Sequence, residues 1–120
     1  MTNKEFVIPI YNWTLTFIEL DDANDADIFS AYMKDFNCDK EHDSFVLALK
    51  KELKDIGITK TIPETMQIFV AIFPSSSPEA RRNTINHEKR HIEDEILELS
   101  GITDKEAAGY LAGYLSEILY

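Results

Sequence analysis

The 120-residue sequence is poor in several features that define common protein classes. Its single cysteine, Cys38, cannot form an internal disulfide, which excludes a disulfide-stabilised scaffold and a cysteine-rich zinc finger. The longest apolar run, residues 68–74, is far shorter than the ~20 residues that cross a bilayer. The first residues also lack the long apolar segment of a signal peptide. We therefore expect a soluble, cytoplasmic protein that does not enter a membrane.

Positive charge is also scarce, because 12 Lys and Arg residues stand against 22 Asp and Glu residues and the net charge is −10. Such a surface repels the phosphates of nucleic acids, so DNA or RNA binding is disfavoured. An acidic chain can still bind a basic partner or imitate nucleic acid, and plain solubility explains the charge equally simply. The 44% hydrophobic residues are typical of a folded chain, and the length predicts a single domain spanning residues 1–120.

The hydrophobic pattern predicts an α+β fold, in which helices pack on a small β-sheet. Trp13, Leu15 and Phe17 alternate with threonines within the strand-forming stretch 6–20, which is typical of a half-buried strand, and Pro9 makes the beginning of this stretch an edge or a bend. A second strand is predicted at residues 66–73, and residues 58–63 are an ambiguous short strand. Helices are predicted at residues 26–36, 43–56, 78–99 and 103–120, with Gly57 as the stop of the second and Ser77 as the N-cap of the third.

Two of the three histidines fall in one short segment of the third helix, His87-Glu88-Lys89-Arg90-His91. Residues four apart on a helix share a face, so the pattern H-E-x-x-H allows both imidazoles to reach one metal ion. Glu88 projects about 100° away from His87, where its carboxylate can contact a water on the metal. The alternative is an ordinary solvated helix surface on which these charges have no ligand.

The helical wheel places this segment beside the core. Four residues fall within a narrow arc that we expect to be the core face: Ile85, Ile92, Ile96 and Leu99. His87 and His91 lie on a flank of that arc, where a groove would be half walled and half open. This position favours a site over a pair of histidines buried in the core.

The last helix offers a candidate third ligand. Peptidases with H-E-x-x-H need a third protein ligand from outside that helix, and a turn at Ser100-Gly101 would return Glu106 toward the histidines. The sequence leaves an alternative open, because Thr103-x-x-Glu106 is also a capping box.

Residues 66–120 resemble the zincins, and especially the small intracellular metallopeptidases that phages and mobile elements use against repressors. Those proteins carry H-E-x-x-H on one helix and a Glu-Ala-x-x-aromatic-Ala motif on the next, which corresponds here to residues 106–111 with Leu111 in place of the final Ala. The resemblance implies a minimal zincin-like fold, with zinc held by His87, His91 and Glu106. It also implies a peptide or protein substrate. The sequence departs from the family at Lys89 and Arg90, where uncharged residues are usual.

The mechanism implied by this resemblance is metal-assisted hydrolysis of a peptide bond. Zinc lowers the pKa of its bound water, and Glu88 accepts the water's proton as general base and passes it to the leaving amine. Tyr110, one turn after Glu106, could stabilise the oxyanion, although packing is an equally simple role for it. Residues 66–73 would supply an edge strand on which an extended substrate aligns.

Three other interpretations remain open. The chain could be a non-enzymatic acidic interaction protein, such as a phage or mobile-element accessory factor, which predicts no metal. It could also be a zinc-binding but inactive zincin. A di-metal carboxylate site would use Glu88-x-x-His91, but that architecture needs a second copy of the motif, which the sequence does not contain.

Overall fold

The computed structural model describes residues 1–101 and 104–120, in which a four-stranded sheet lies between two layers of helices. The strands are β1 (Thr2–Ile8), β2 (Trp13–Glu19), β3 (Gly57–Ile62) and β4 (Gln67–Ile72). The helices are α1 (Ala26–Asp35), α2 (Asp39–Lys50), α3 (Pro78–Ser100) and α4 (Lys105–Leu119), with short 3-10 turns at Ala23–Asp25 and Pro63–Thr65. The predicted α+β class is confirmed.

The strand order is β1-β2-β4-β3, so β4 is an interior strand and β3 lies at an edge. β4 runs parallel to β2 and antiparallel to β3, while β1 and β2 form an antiparallel pair. The expectation that residues 66–73 form an edge strand is therefore wrong. The physical reason is visible in the residues themselves, because β4 is apolar on both faces and almost entirely buried, as an interior strand must be.

Both faces of the sheet are covered, which also corrects the expectation of a half-buried strand at Trp13. Leu15 and Phe17 of β2 face the layer of α3 and α4, whereas Ile18 faces the layer of α1 and α2. Thr16 on that second face is buried as well. The threonines therefore do not mark a solvated face.

The ends of α3 follow the local chemistry that the sequence predicts. The Ser77 side chain accepts a hydrogen bond from the Ala80 N–H at 3.0 Å and caps the helix, and Pro78 is its first residue. Gly101 follows the helix with φ at 66°, the left-handed conformation that glycine adopts without strain. Leu99, predicted on the core face, is instead 47% exposed, one residue before the end of the helix.

The prediction was less accurate around α2. The helix begins at Asp39 instead of about residue 43 and ends at Lys50, and Gly57 opens β3 instead of stopping a helix. Glu52 and Asp55 have positive φ angles, so the backbone between α2 and β3 is not helical.

The two C-terminal helices cover different strands. α3 packs against β3 and β4. α4 is tied to the opposite half of the sheet, since the Tyr11 hydroxyl donates to the Ala107 carbonyl at 3.1 Å and the Tyr114 hydroxyl donates to the Val7 carbonyl at 3.3 Å. No helix among the described residues is both long enough and apolar enough to cross a membrane.

Candidate metal centre

His87 and His91 lie on one face of α3 with their ring Nε2 atoms 3.1 Å apart. The rings are nearly perpendicular, with an angle of 83° between their planes. Zn–N distances of about 2.0–2.1 Å in a tetrahedral site would place two ligating nitrogens about 3.3 Å apart. Both side chains are exposed on the surface, so no core contact competes for the nitrogens. The observed spacing therefore fits two imidazoles that share one metal ion.

Glu88 points from the same helix turn toward the sheet and is only 4% exposed. Its carboxylate accepts a hydrogen bond from the Thr59 hydroxyl of β3. A carboxylate oxygen lies within 4.8 Å of a ring nitrogen of each histidine, which makes these three residues a group that could hold a metal ion. Gly57 also contacts the side chain so closely that a Cβ atom there would lie 2.7 Å from Glu88 Cγ. The sheet therefore fixes this carboxylate beside the two histidines.

The three residues border a groove of about 490 Å³ that follows β3. One wall is formed by α3, and Glu41 and Phe45 of α2 contribute to the other. An adjoining groove of about 580 Å³ shares Phe45, Gly57, His87 and Glu88 and extends toward the beginning of α3. The histidines therefore lie along a groove that continues past them in both directions.

The free edge of β3 forms the floor of this groove. The carbonyl of Ile56 accepts from the N–H of Phe73 at 2.8 Å, so Ile56 and every second residue after it direct their backbone groups toward β4. Gly57, Thr59 and Thr61 therefore present their N–H and C=O groups at the open edge. The same strand supports Glu88 through Thr59 and carries these backbone groups along the groove.

The charged pair Lys89 and Arg90 does not obstruct the groove. Lys89 Nζ forms an ion pair with Glu93 Oε1 at 2.7 Å on the opposite flank of α3, and its side chain is only 16% exposed. Arg90 is exposed. Neither residue lines the two grooves along β3, although both border, together with His87, a third hollow of about 390 Å³. The departure from the zincin pattern therefore leaves the β3 side of the histidines open.

The structure does not bring Glu106 or Tyr110 to the histidines. Glu106 is exposed in the first turn of α4, and its backbone N–H donates to the N-cap side chain of Asp104 at 2.8 Å. Tyr110 is 51% exposed on the same helix. Thr103, the first residue of the predicted capping box, lies outside the described residues. The roles of Glu106 and Tyr110 stay predictions that this arrangement does not support.

Glu106 and Tyr110 lie away from the histidines because α4 packs on a different flank of α3. Two residues of an α-helix turn through about 200°. Lys89 therefore points almost opposite to His87, and Glu93 points almost opposite to His91. Leu97 continues the flank of Lys89 and Glu93 and packs into the core cluster that contains the buried leucines of α4. α4 therefore lies beside the flank of α3 that faces away from the β3 groove.

Sequence reasoning missed the contribution of α2 and β3 to the site. On the sequence alone Gly57 is a helix stop, and Thr59 and Glu41 have no role in a site. The alternating stretch Thr59-Lys60-Thr61 was a signal for an edge strand, since polar residues on both faces are typical of edges. Nothing in the sequence indicates that this edge lies beside the histidines.

The remaining cysteine and histidine have structural surroundings. Cys38 is buried, and burial above all raises the pKa of its thiol to about 11, so it is a poor nucleophile. The His42 ring lies between Ser30 Oγ at 2.6 Å and Asp43 Oδ1 at 3.0 Å, an order that resembles a catalytic triad. Asp43 is fully exposed, however, and the contact between Ser30 and His42 joins α1 to α2. We interpret this chain of hydrogen bonds as a structural link between the two helices.

No protein-family model, curated protein or solved structure matches this chain. It is a small α+β protein with a candidate metal-binding group, His87, Glu88 and His91, at one edge of a mixed sheet.

Proposed function

We propose that this protein is a zinc-dependent metallopeptidase in which His87 and His91 bind the metal and Glu88 is the general base. The observation that carries the proposal is the position of the two Nε2 atoms, 3.1 Å apart, in an open groove beside a buried carboxylate. The resemblance to the zincins supports the same assignment.

The two histidines fit two of the three protein ligands that a catalytic zinc site needs. Neutral imidazole nitrogens are common zinc ligands, and their separation agrees with tetrahedral geometry. Zinc, when bound, supplies Lewis-acid chemistry that polarises a carbonyl and makes water a better nucleophile. The proposal rests on the two histidines, and Glu106 does not supply the third ligand in this arrangement, because α4 packs on the other flank of α3.

The chain's own residues would perform the remaining tasks. An extended substrate would pair with the backbone groups of Gly57, Thr59 and Thr61, which places a peptide bond beside the histidines. The carboxylate of Glu88 would accept the proton of the attacking water and deliver it to the leaving nitrogen. The Thr59 hydroxyl and the close packing of Gly57 hold this carboxylate in one orientation, so little is lost to reorganisation.

The first test is zinc stoichiometry by elemental analysis after zinc loading and removal of free metal. We expect one zinc per chain in the wild type and its loss in His87→Ala. His42→Gln is the matched control, because it removes the third histidine outside the site, and it should retain one zinc. A wild-type protein without zinc would refute the proposal.

The second test separates metal binding from hydrolysis. Glu88→Gln preserves the size of the side chain, so we expect zinc to be retained while cleavage of a labelled, unfolded protein substrate falls by about 10²-fold or more. Undiminished cleavage in Glu88→Gln would contradict the role of Glu88 as general base.

A second candidate function is zinc-dependent interaction without hydrolysis. It is favoured by one observation, that Glu88 is already engaged by Thr59 and packed under Gly57, as a purely structural carboxylate would be. This candidate predicts a zinc-loaded wild type that cleaves no substrate and still binds polypeptides in the groove.

A further inference from the structure

We propose that the groove along β3 selects an extended polypeptide segment that carries a basic side chain, and that Glu41 of α2 recognises this side chain. The inference deepens the proposed function by naming its substrate class. It concerns binding, so it can be tested separately from hydrolysis.

The carboxylate of Glu41 is the feature of the groove that indicates a cationic ligand. It lines the groove from the α2 side, and its Oε2 atom is shielded from solvent and has no hydrogen-bond partner within residues 1–101 and 104–120. A shielded carboxylate oxygen left unpaired is costly, and a cationic donor satisfies it best. The negative charge of Glu41 also contributes to the raised pKa of the neighbouring Cys38 thiol.

The surrounding charges favour a cation over a neutral donor. Glu95 lines the same groove from α3 and adds a second negative charge at this end. Lys60 also lines the groove but does not form an ion pair with Glu41 in the structure. The whole chain carries a net charge of −10, so its field attracts basic segments.

Strand geometry explains how one side chain would reach Glu41. A peptide paired with the open edge of β3 directs alternate side chains toward α2 and toward α3. Side chains on the α3 side meet His87 and His91, whereas those on the α2 side meet Glu41 and Phe45. The long apolar stem of a lysine or arginine would lie against Phe45 with its charge at Glu41.

The test measures binding of fluorescent octapeptides by anisotropy to zinc-loaded Glu88→Gln protein. Each peptide consists of uncharged, strand-forming residues except at one position, which carries Lys, Gln or Glu. The varied position is moved along the peptide from one set to the next. We expect Lys at one position to bind about tenfold more tightly than Gln, and Glu to bind least tightly. Adding Glu41→Gln should remove most of the Lys preference, whereas Lys60→Met should increase it.

Glu117→Gln on α4 is the matched control, since it changes the net charge equally on an exposed site outside the groove. It should leave the Lys preference unchanged. Equal binding of the Lys, Gln and Glu peptides, or a Lys preference that survives Glu41→Gln, would overturn the inference. Repeating the measurement in EDTA separates the two proposals, because a Lys preference that persists without metal supports the groove assignment even where the zinc stoichiometry refutes the metallopeptidase.

Discussion

The contact between Gly57 and Glu88 makes the most direct prediction about the architecture of the site. Gly57 does not have a positive φ angle, so its backbone conformation is open to alanine. A Cβ atom at this position would lie 2.7 Å from Glu88 Cγ and 2.9 Å from Glu88 Oε1. Glu88 is almost fully buried and cannot turn into solvent without losing its hydrogen bond from Thr59. We therefore expect Gly57→Ala to strain the junction between β3 and α3.

The magnitude follows from two opposing effects. Replacing glycine by alanine in a strand stabilises the fold by about 0.5–1 kcal/mol through the lower entropy of the unfolded chain. Overpacking a close contact destabilises it by about 1–3 kcal/mol. The net loss in the free energy of unfolding should therefore lie between about 0 and 2.5 kcal/mol, with a central value near 1 kcal/mol.

Urea denaturation provides the assay, with the fluorescence of the only tryptophan, the buried Trp13, reporting unfolding in EDTA so that no metal contributes. Gly113→Ala is the matched control, because a Cβ atom there would meet nothing within 4 Å, and it should stabilise α4 by about 0.5–1 kcal/mol. In a Glu88→Ala background the contact atoms are gone, so Gly57→Ala should no longer destabilise. The same change in stability on Gly57→Ala in the wild-type and Glu88→Ala backgrounds would refute the proposed packing.

Two further predictions concern residues outside this contact. Glu106→Ala should retain one zinc per chain by elemental analysis, because α4 keeps Glu106 on the far flank of α3; loss of zinc would instead establish Glu106 as the third ligand and require α4 to move. Cys38 should resist alkylation by iodoacetamide at pH 8, since a thiol with a pKa of about 11 is ionised to only about one part in a thousand and is also buried. Denaturant should restore the rate of an ordinary thiol, and rapid alkylation of the folded protein would contradict the buried position.

Local chemistry explains which elements could be predicted. Ser77, Pro78 and Gly101 fix the ends of α3 through interactions that involve only neighbouring residues, and α3 was predicted almost to the residue. The interior strand β4 was recognised from its continuous apolar run. β3 remained ambiguous because its polar side chains alternate without a clear apolar face, and Gly57 served equally well as a helix stop in sequence terms.

The candidate metal-binding group illustrates the same distinction. The i, i+4 spacing of His87 and His91 is a property of one helix, and the structure confirms that the two residues meet. The partners of Glu88 come from β3, which is 29 residues earlier in the chain, and depend on the strand order of the sheet. Pairing across a sheet is a long-range choice that this single sequence did not reveal.

The third ligand is the clearest case in which the sequence leaves the answer open. An amphipathic helix such as α3 has two flanks beside its core face, and a following helix can pack on either one. If α4 packed beside His87 and His91, Glu106 would be a reasonable ligand. The structure places α4 beside Leu97 and holds it over β1 and β2 through Tyr11 and Tyr114. That choice leaves the flank with the histidines facing the groove along the edge strand β3.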